Sequence, residues 1–192
     1  MLSNTYIRIV CANENNRIRN LLDRLRREAE KTSAVDGIAV YMCALVEKIE
    51  LERRTRRFDK FILPFIKADD SRTGVVEKMD EIRKDISVCV DLLLSVIKES
   101  NHNGTIDRQL VAPEINRYCD LNSKLLDYEE SRLGISGREG VAEEGWFALA
   151  ESFIKEDKEL FDGKYLNEKE VLNTVPESSV WWVADAKTEY RV

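Results

Sequence analysis

Histidine is almost missing from this sequence: His102 is the only one in 192 residues. A Ser–His or Cys–His nucleophile pair would have to use it, and its Asn-His-Asn-Gly surroundings read as a solvated turn. Proline (3) and glycine (8) are scarce, which excludes collagen-like and low-complexity classes. With 43% hydrophobic and 34% charged residues, the composition is not that of a disordered chain either. The four cysteines, Cys11, Cys43, Cys89 and Cys119, include no Cys-x-x-Cys pair. The short spacing that a zinc site or redox dithiol uses is therefore absent, and we expect reduced, partly buried apolar thiols in an intracellular protein. No apolar run approaches the roughly 20 residues of a membrane span, and the first residues do not read as a targeting leader. We expect an intracellular, cytoplasmic protein, with a nuclear location left open. No P-loop, GxGxxG, GxSxG or HExxH pattern occurs, so no enzyme and no cofactor are expected.

What is present is charge. Thirty-six acidic against 30 basic side chains leave a net −6. Residues 139–170 hold ten acids against four lysines and so carry that whole deficit. Such a balance disfavours a general nucleic-acid or anionic-membrane coat.

The few glycines divide the chain into long stretches rich in Leu, Glu, Arg and Lys, which favour helix. The pattern predicts helices over 14–33, 38–67, 75–99, 113–133 and 146–161. Ile18, Leu21, Leu22, Leu25 and Ala29 form the apolar stripe of the first. Val75, Met79, Ile82, Ile86, Cys89, Val90, Leu93 and Ile97 form that of the third, and Ile115, Tyr118, Cys119, Asn122, Leu126, Glu129 and Leu133 that of the fourth. Pro113-Glu114 suits a first helical turn, and Pro64 should kink or end the second helix. Residues 5–10 (TYIRIV) read as a short strand or an extension. The expected fold is all-α: an antiparallel bundle of four core helices plus a fifth, with a short irregular or β-containing C-terminal appendage. The expected division is a bundle over 1–135, a Gly-rich link and acidic fifth helix over 136–162, and the appendage over 163–192.

The second helix is the most informative. At about 100° per residue, Tyr41, Leu45, Ile62, Leu63 and Ile66 share a side with Lys48, Glu52, Thr55 and Asp59. The fourth helix places Glu129 on its apolar face. Charges in a bundle core need partners, water or an ion. Glu52, Asp59 and Glu129 are thus candidate carboxylate metal ligands, against a salt-bridge row, a solvated midsection or a face covered by a partner chain. The windows RRFDKFILPFI (56–66) and LLDYEESRL (125–133) resemble the acidic-aromatic-proline and paired-Glu ends of hemerythrin-like bundles. Thr55 and Leu125 stand where that family's iron-binding histidines belong. The resemblance implies a helical bundle whose iron ligands are lost, and it carries over neither iron nor oxygen chemistry.

Arg53, Arg54, Arg56 and Arg57 form the densest basic cluster, a candidate contact for phosphates or an acidic partner, against a helix face paired with nearby glutamates. Trp146, Trp181 and Trp182 are candidate protein-binding anchors. The expected role is a non-catalytic helical subunit or adaptor of an intracellular protein assembly. Its partner would be a protein or a second copy of the chain, nucleic acid would enter only indirectly, and no membrane is involved. A carboxylate metal site and a nucleic-acid-associated complex subunit are the alternatives.

Overall fold

The computed structural model describes residues 2–30, 38–69, 72–99, 101–102, 105–139 and 143–161. The chain divides into two compact units, residues 1–150 and 151–192. Within the first lie α1 (Leu2–Glu30), α2 (Ile38–Thr55), a π-helical turn (Phe58–Ile62), α3 (Leu63–Lys67), α4 (Thr73–Glu99), the two-residue strands β1 (Asn101–His102) and β2 (Thr105–Ile106), and α5 (Arg108–Glu139). The helix α6 (Glu143–Phe161) begins in the first unit, and its residues 151–161 are what is described of the second. The fold is all-α, as the periodicity implied.

Helix α1 is longer than expected, because residues 5–10 are helical rather than extended. A strand would alternate its burial residue by residue. Here Ile7 and Cys11 are buried while Arg8 and Ile9 between them are exposed, and the spacing continues through Asn15, Ile18, Leu22, Leu25 and Ala29. One helical stripe thus runs the length of α1. In α4 six of the eight predicted stripe residues are buried, Met79, Ile82, Ile86, Cys89, Leu93 and Ile97, while Val75 and Val90 are half-buried. In α5, Val111, Ile115, Tyr118, Cys119, Asn122, Leu125, Leu126 and Glu129 turn inward. Each fully buried aliphatic side chain contributes about 1.5–3 kcal/mol, so these stripes are the main cohesive term.

Helix α5 starts earlier than Pro113 suggested. The Asp107 carboxylate caps it by accepting from the Gln109 backbone N–H at 3.0 Å, which leaves Pro113 exposed in the second turn. Pro64 follows directly on the π-turn in the first turn of α3, so its missing amide removes a helical bond where the hydrogen bonding is already changing register. The strands β1 and β2 pair antiparallel between α4 and α5, Asn101 with Ile106 and His102 with Thr105.

Cross-helix pairs fix the directions. Asn15, Arg19 and Arg26 of α1 meet Glu130, Asp127 and Asp120 of α5 in descending order. Glu14 and Arg24 of α1 meet Arg57 and Tyr41. Arg83 of α4 reaches Asp59, while Lys98 lies near Cys43. Sequential neighbours therefore run antiparallel, the up-down-up-down order that short connections favour. The appendage expected over 163–192, with Trp181 and Trp182, lies outside the described residues. Among the described residues, no helix is long and apolar enough to cross a membrane.

Candidate functional site: a charged layer inside the bundle

The α-helical hydrogen bonding of α2 stops at Thr55. The Thr55 hydroxyl donates back to the carbonyl of Leu51 at 2.9 Å, a local bond that competes with helix continuation. Two residues on, the Arg57 N–H points away from the helix and donates to the Glu14 carboxylate of α1 at 3.0 Å. The chain resumes as a π-turn, closed by the i→i−5 bond from the Leu63 N–H to the Phe58 carbonyl. A π-turn holds an extra residue and changes the phase of everything after it.

That break corrects the interrupted face. The helical wheel assumed one uninterrupted helix over 38–67. In fact the buried face of α2 is Met42, Leu45, Val46 and Ile49, and beyond the break Phe58, Ile62, Leu63 and Ile66 turn inward. Lys48 and Thr55 are exposed and Glu52 is half-buried. The polar row expected on the core side was a phase error, except at Asp59.

The residue that the break turns inward is Arg56, only 2% exposed. Its guanidinium is fully engaged. Nη1 donates to Asn15 Oδ1 (3.0 Å) and Glu129 Oε2 (2.7 Å). Nη2 donates to Glu129 Oε1 (3.1 Å) and Asp59 Oδ2 (2.8 Å). Nε is shared between Asp59 Oδ2 (3.1 Å) and the Arg53 carbonyl (3.2 Å). The two bonds to Glu129 form the fork geometry that suits guanidinium and carboxylate. Glu129 itself is 0% exposed. Arg83 of α4 adds a second guanidinium, bonded to Asp59 and, at 3.2 Å, to Glu129 Oε1. Two cations and two anions thus meet in a neutral layer supplied by α1, the break, α4 and α5. Burial alone would lower the affinity of Arg56 for its proton, but Glu129 and Asp59 outweigh it and hold the pKa above its usual value.

The layer continues outward. Asn15 donates to Glu130 Oε1 at 3.0 Å, and Arg19 grips the same carboxylate at 2.8 and 3.0 Å while reaching Asp127. The hydrogen bonds from Arg19 hold the Glu130 carboxyl below its usual range. A second buried charge lies elsewhere on α2: Glu50 accepts from the Tyr118 hydroxyl at 2.9 Å and from Arg53. Burial first, then Glu50, pushes the Tyr118 phenol up.

Of the metal candidates, the structure brings Asp59 and Glu129 together and leaves Glu52 out. Both carboxylates face guanidinium groups, and among the described residues no three His, Cys, Asp or Glu side chains are arranged to hold a metal ion. The arginine run does not present a basic outer face. Arg56 is internal, and Arg53 and Arg57 are mostly buried against Glu50 and Glu14, which leaves Arg54 as its exposed member. Trp146 is buried, and its neighbour Phe147 is 57% exposed. All four cysteines are free thiols.

Sequence reasoning missed Asn15, Arg83 and Glu14. Asn15 was findable: it lies within the predicted first helix, three residues before Ile18 on the buried stripe, but only apolar residues were counted as that stripe. For Arg83 and Glu14 no signal exists in the chain, because their partners are set by tertiary packing. Set against protein-family models, curated proteins and solved structures, the chain matches none.

Proposed function

We propose that the chain is a non-catalytic helical subunit or adaptor of an intracellular protein assembly, acting through protein–protein contacts. The observation that carries this reading is the split between interior and surface. The charged groups that the bundle turns inward engage one another, with the Arg56 donors and the Glu129 and Asp59 carboxylates all in mutual bonds. Large apolar side chains meanwhile stand on the outside: Val40 and Leu51 on α2, Val88 and Leu92 on α4, Leu110 on α5 and Phe147 on α6. Single exposed apolar residues are ordinary on a protein surface, whereas a working interface needs some of them.

The test uses the outer residues, since altering them leaves the core intact. Leu51→Asp and Val88→Asp should keep the wild-type melting temperature. They should also abolish either self-association in light scattering or the recovery of a specific protein on native purification. A wild-type chain that stays monomeric, and whose co-purifying proteins are unchanged by both substitutions, ends the proposal.

A further inference from the structure

The apolar stripes of this bundle hold the helices together but do not define their alignment. The fully buried positions of the α4 stripe, Met79 to Ile97, are all apolar, and Arg83 is the charge that α4 turns towards the layer. A neighbour slid along it by one turn, about 5.4 Å, meets much the same surface. The same holds for Ile7, Cys11, Ile18, Leu22 and Leu25 on α1, apart from Asn15. The charged layer breaks this degeneracy. Each of the four long elements contributes at one level: Asn15, Arg56 with Asp59, Arg83, and Glu129.

We propose that the Arg56–Glu129 layer is a register lock, which selects one alignment of the four helices from among neighbours that the apolar stripes alone would tolerate. The geometry supports this in three ways. First, the acceptors around Arg56 come from α1, α5, its own turn and the Arg53 carbonyl, and together they use all three of its nitrogens. A one-turn slip of α5 would bring Leu125 or Leu126 towards Arg56 and leave Glu129, wholly buried, without its fork. Second, buried charges stripped of partners are among the costliest errors a core can hold, so slipped alignments are penalised far more than the correct one is favoured. Third, the backbone is bent to serve the layer. The turn at Arg56 and the π-turn after it, in a stretch that Thr55 and Pro64 already weaken as a helix, bring both Arg56 and Asp59 to the layer, and Glu14 holds the Arg57 N–H. A single buried polar residue fixes alignment in coiled coils by the same principle.

The decisive variant replaces the layer with apolar and neutral groups together: Arg56→Met, Asp59→Asn, Arg83→Met and Glu129→Leu. Removing all four charges leaves no unpaired ion, so the helix content and thermal midpoint should match or exceed those of the wild type. Uniqueness should be lost. Amide–nitrogen correlation spectra should show doubled or broadened resonances, and protection from hydrogen exchange in α4 and α5 should fall at least tenfold. One set of sharp, dispersed resonances with wild-type interhelical contacts would overturn the proposal. Should that variant fail to fold, Arg56→Lys decides. It keeps the charge and lacks the planar five-donor fork. The lock requires doubled or broadened signals at Asn15, Asp59 and Glu129 in this variant, and a single unbroadened set refutes it.

Discussion

Glu129 and Arg19 are both acceptor or donor in cross-helix ion pairs, yet burial separates their contributions. The Arg56–Glu129 pair has almost no exposed side-chain surface, whereas Arg19 and Glu130 keep 30% and 38%. An exposed pair is screened by water and salt and contributes at most about 1 kcal/mol. Removing one member of a buried pair strands the other and costs about 3–5 kcal/mol. Glu129→Ala, which leaves Asp59 as the one carboxylate for both Arg56 and Arg83, should therefore lower the urea unfolding free energy by about 3–5 kcal/mol. Arg19→Ala should lower it by about 1 kcal/mol or less. Equal losses would mean that the layer is hydrated. At this scale the sequence was half legible. Glu129 betrayed itself by falling on the α5 stripe between Leu126 and the helix end. Arg56 did not, because four arginines crowd residues 53–57 and nothing local says which one turns inward. Its partners Asn15 and Glu129 are 41 and 73 residues away.

Elements were legible wherever a single period runs unbroken. The six buried positions of α4 all lie on the stripe that 3.6-residue spacing picks out, which also takes in the half-buried Val75 and Val90, and the inward Asn122 and Glu129 of α5 follow from the same spacing. The failures lie where tertiary structure overrides the local period. The TYIRIV segment is rich in β-branched residues, yet burying Ile7 and Cys11 against the bundle makes it helical. The second predicted helix fails at Arg56, since a wheel cannot carry phase through an open turn and a π-turn. The break has an acceptor of its own in Glu14, 43 residues away in sequence, which takes the Arg57 N–H and lies 3.8 Å from its guanidinium. Glu14→Ala leaves that amide without its partner, and an unsatisfied donor of this kind costs about 1–3 kcal/mol. The effect should be local. Amide exchange should accelerate at Arg57 and through the π-turn while α4 keeps its protection. A uniform acceleration across all helices would show that the break is not a separable feature.

For the molecule as a whole, the buried thiols and phenol set a limit on the alkaline side. Burial first, then Glu14, pushes the Cys11 thiol up to about 12. Burial also raises Cys119 to about 12 and moves Cys43, Cys89 and Tyr118 in the same direction. Each folded pKa exceeds that of the unfolded chain, where a thiol titrates near 9.0. Well below pH 9 both states are protonated and the stability contribution is fully present. Between about 9 and 12 the unfolded state releases protons that the folded state retains, so unfolding becomes more favourable as pH rises. At pH 10 each of Cys11 and Cys119 is about one pKa unit into that window. At about 1.4 kcal/mol per unit, the two together remove roughly 3 kcal/mol. Urea midpoints taken at pH 7, 9 and 10 should therefore fall only slightly over the first interval, where the unfolded thiols reach half-ionisation, and more steeply over the second. The double variant Cys11→Ala, Cys119→Ala starts lower at pH 7, because two buried side chains are truncated, but its drop between pH 9 and 10 should be much shallower. An unchanged drop in that variant would place the alkaline sensitivity on Cys43 and Cys89, with Tyr118, bonded to the buried Glu50 carboxylate, adding to it only from about pH 10 upward. Cys43→Ala with Cys89→Ala would then flatten the profile between pH 9 and 10.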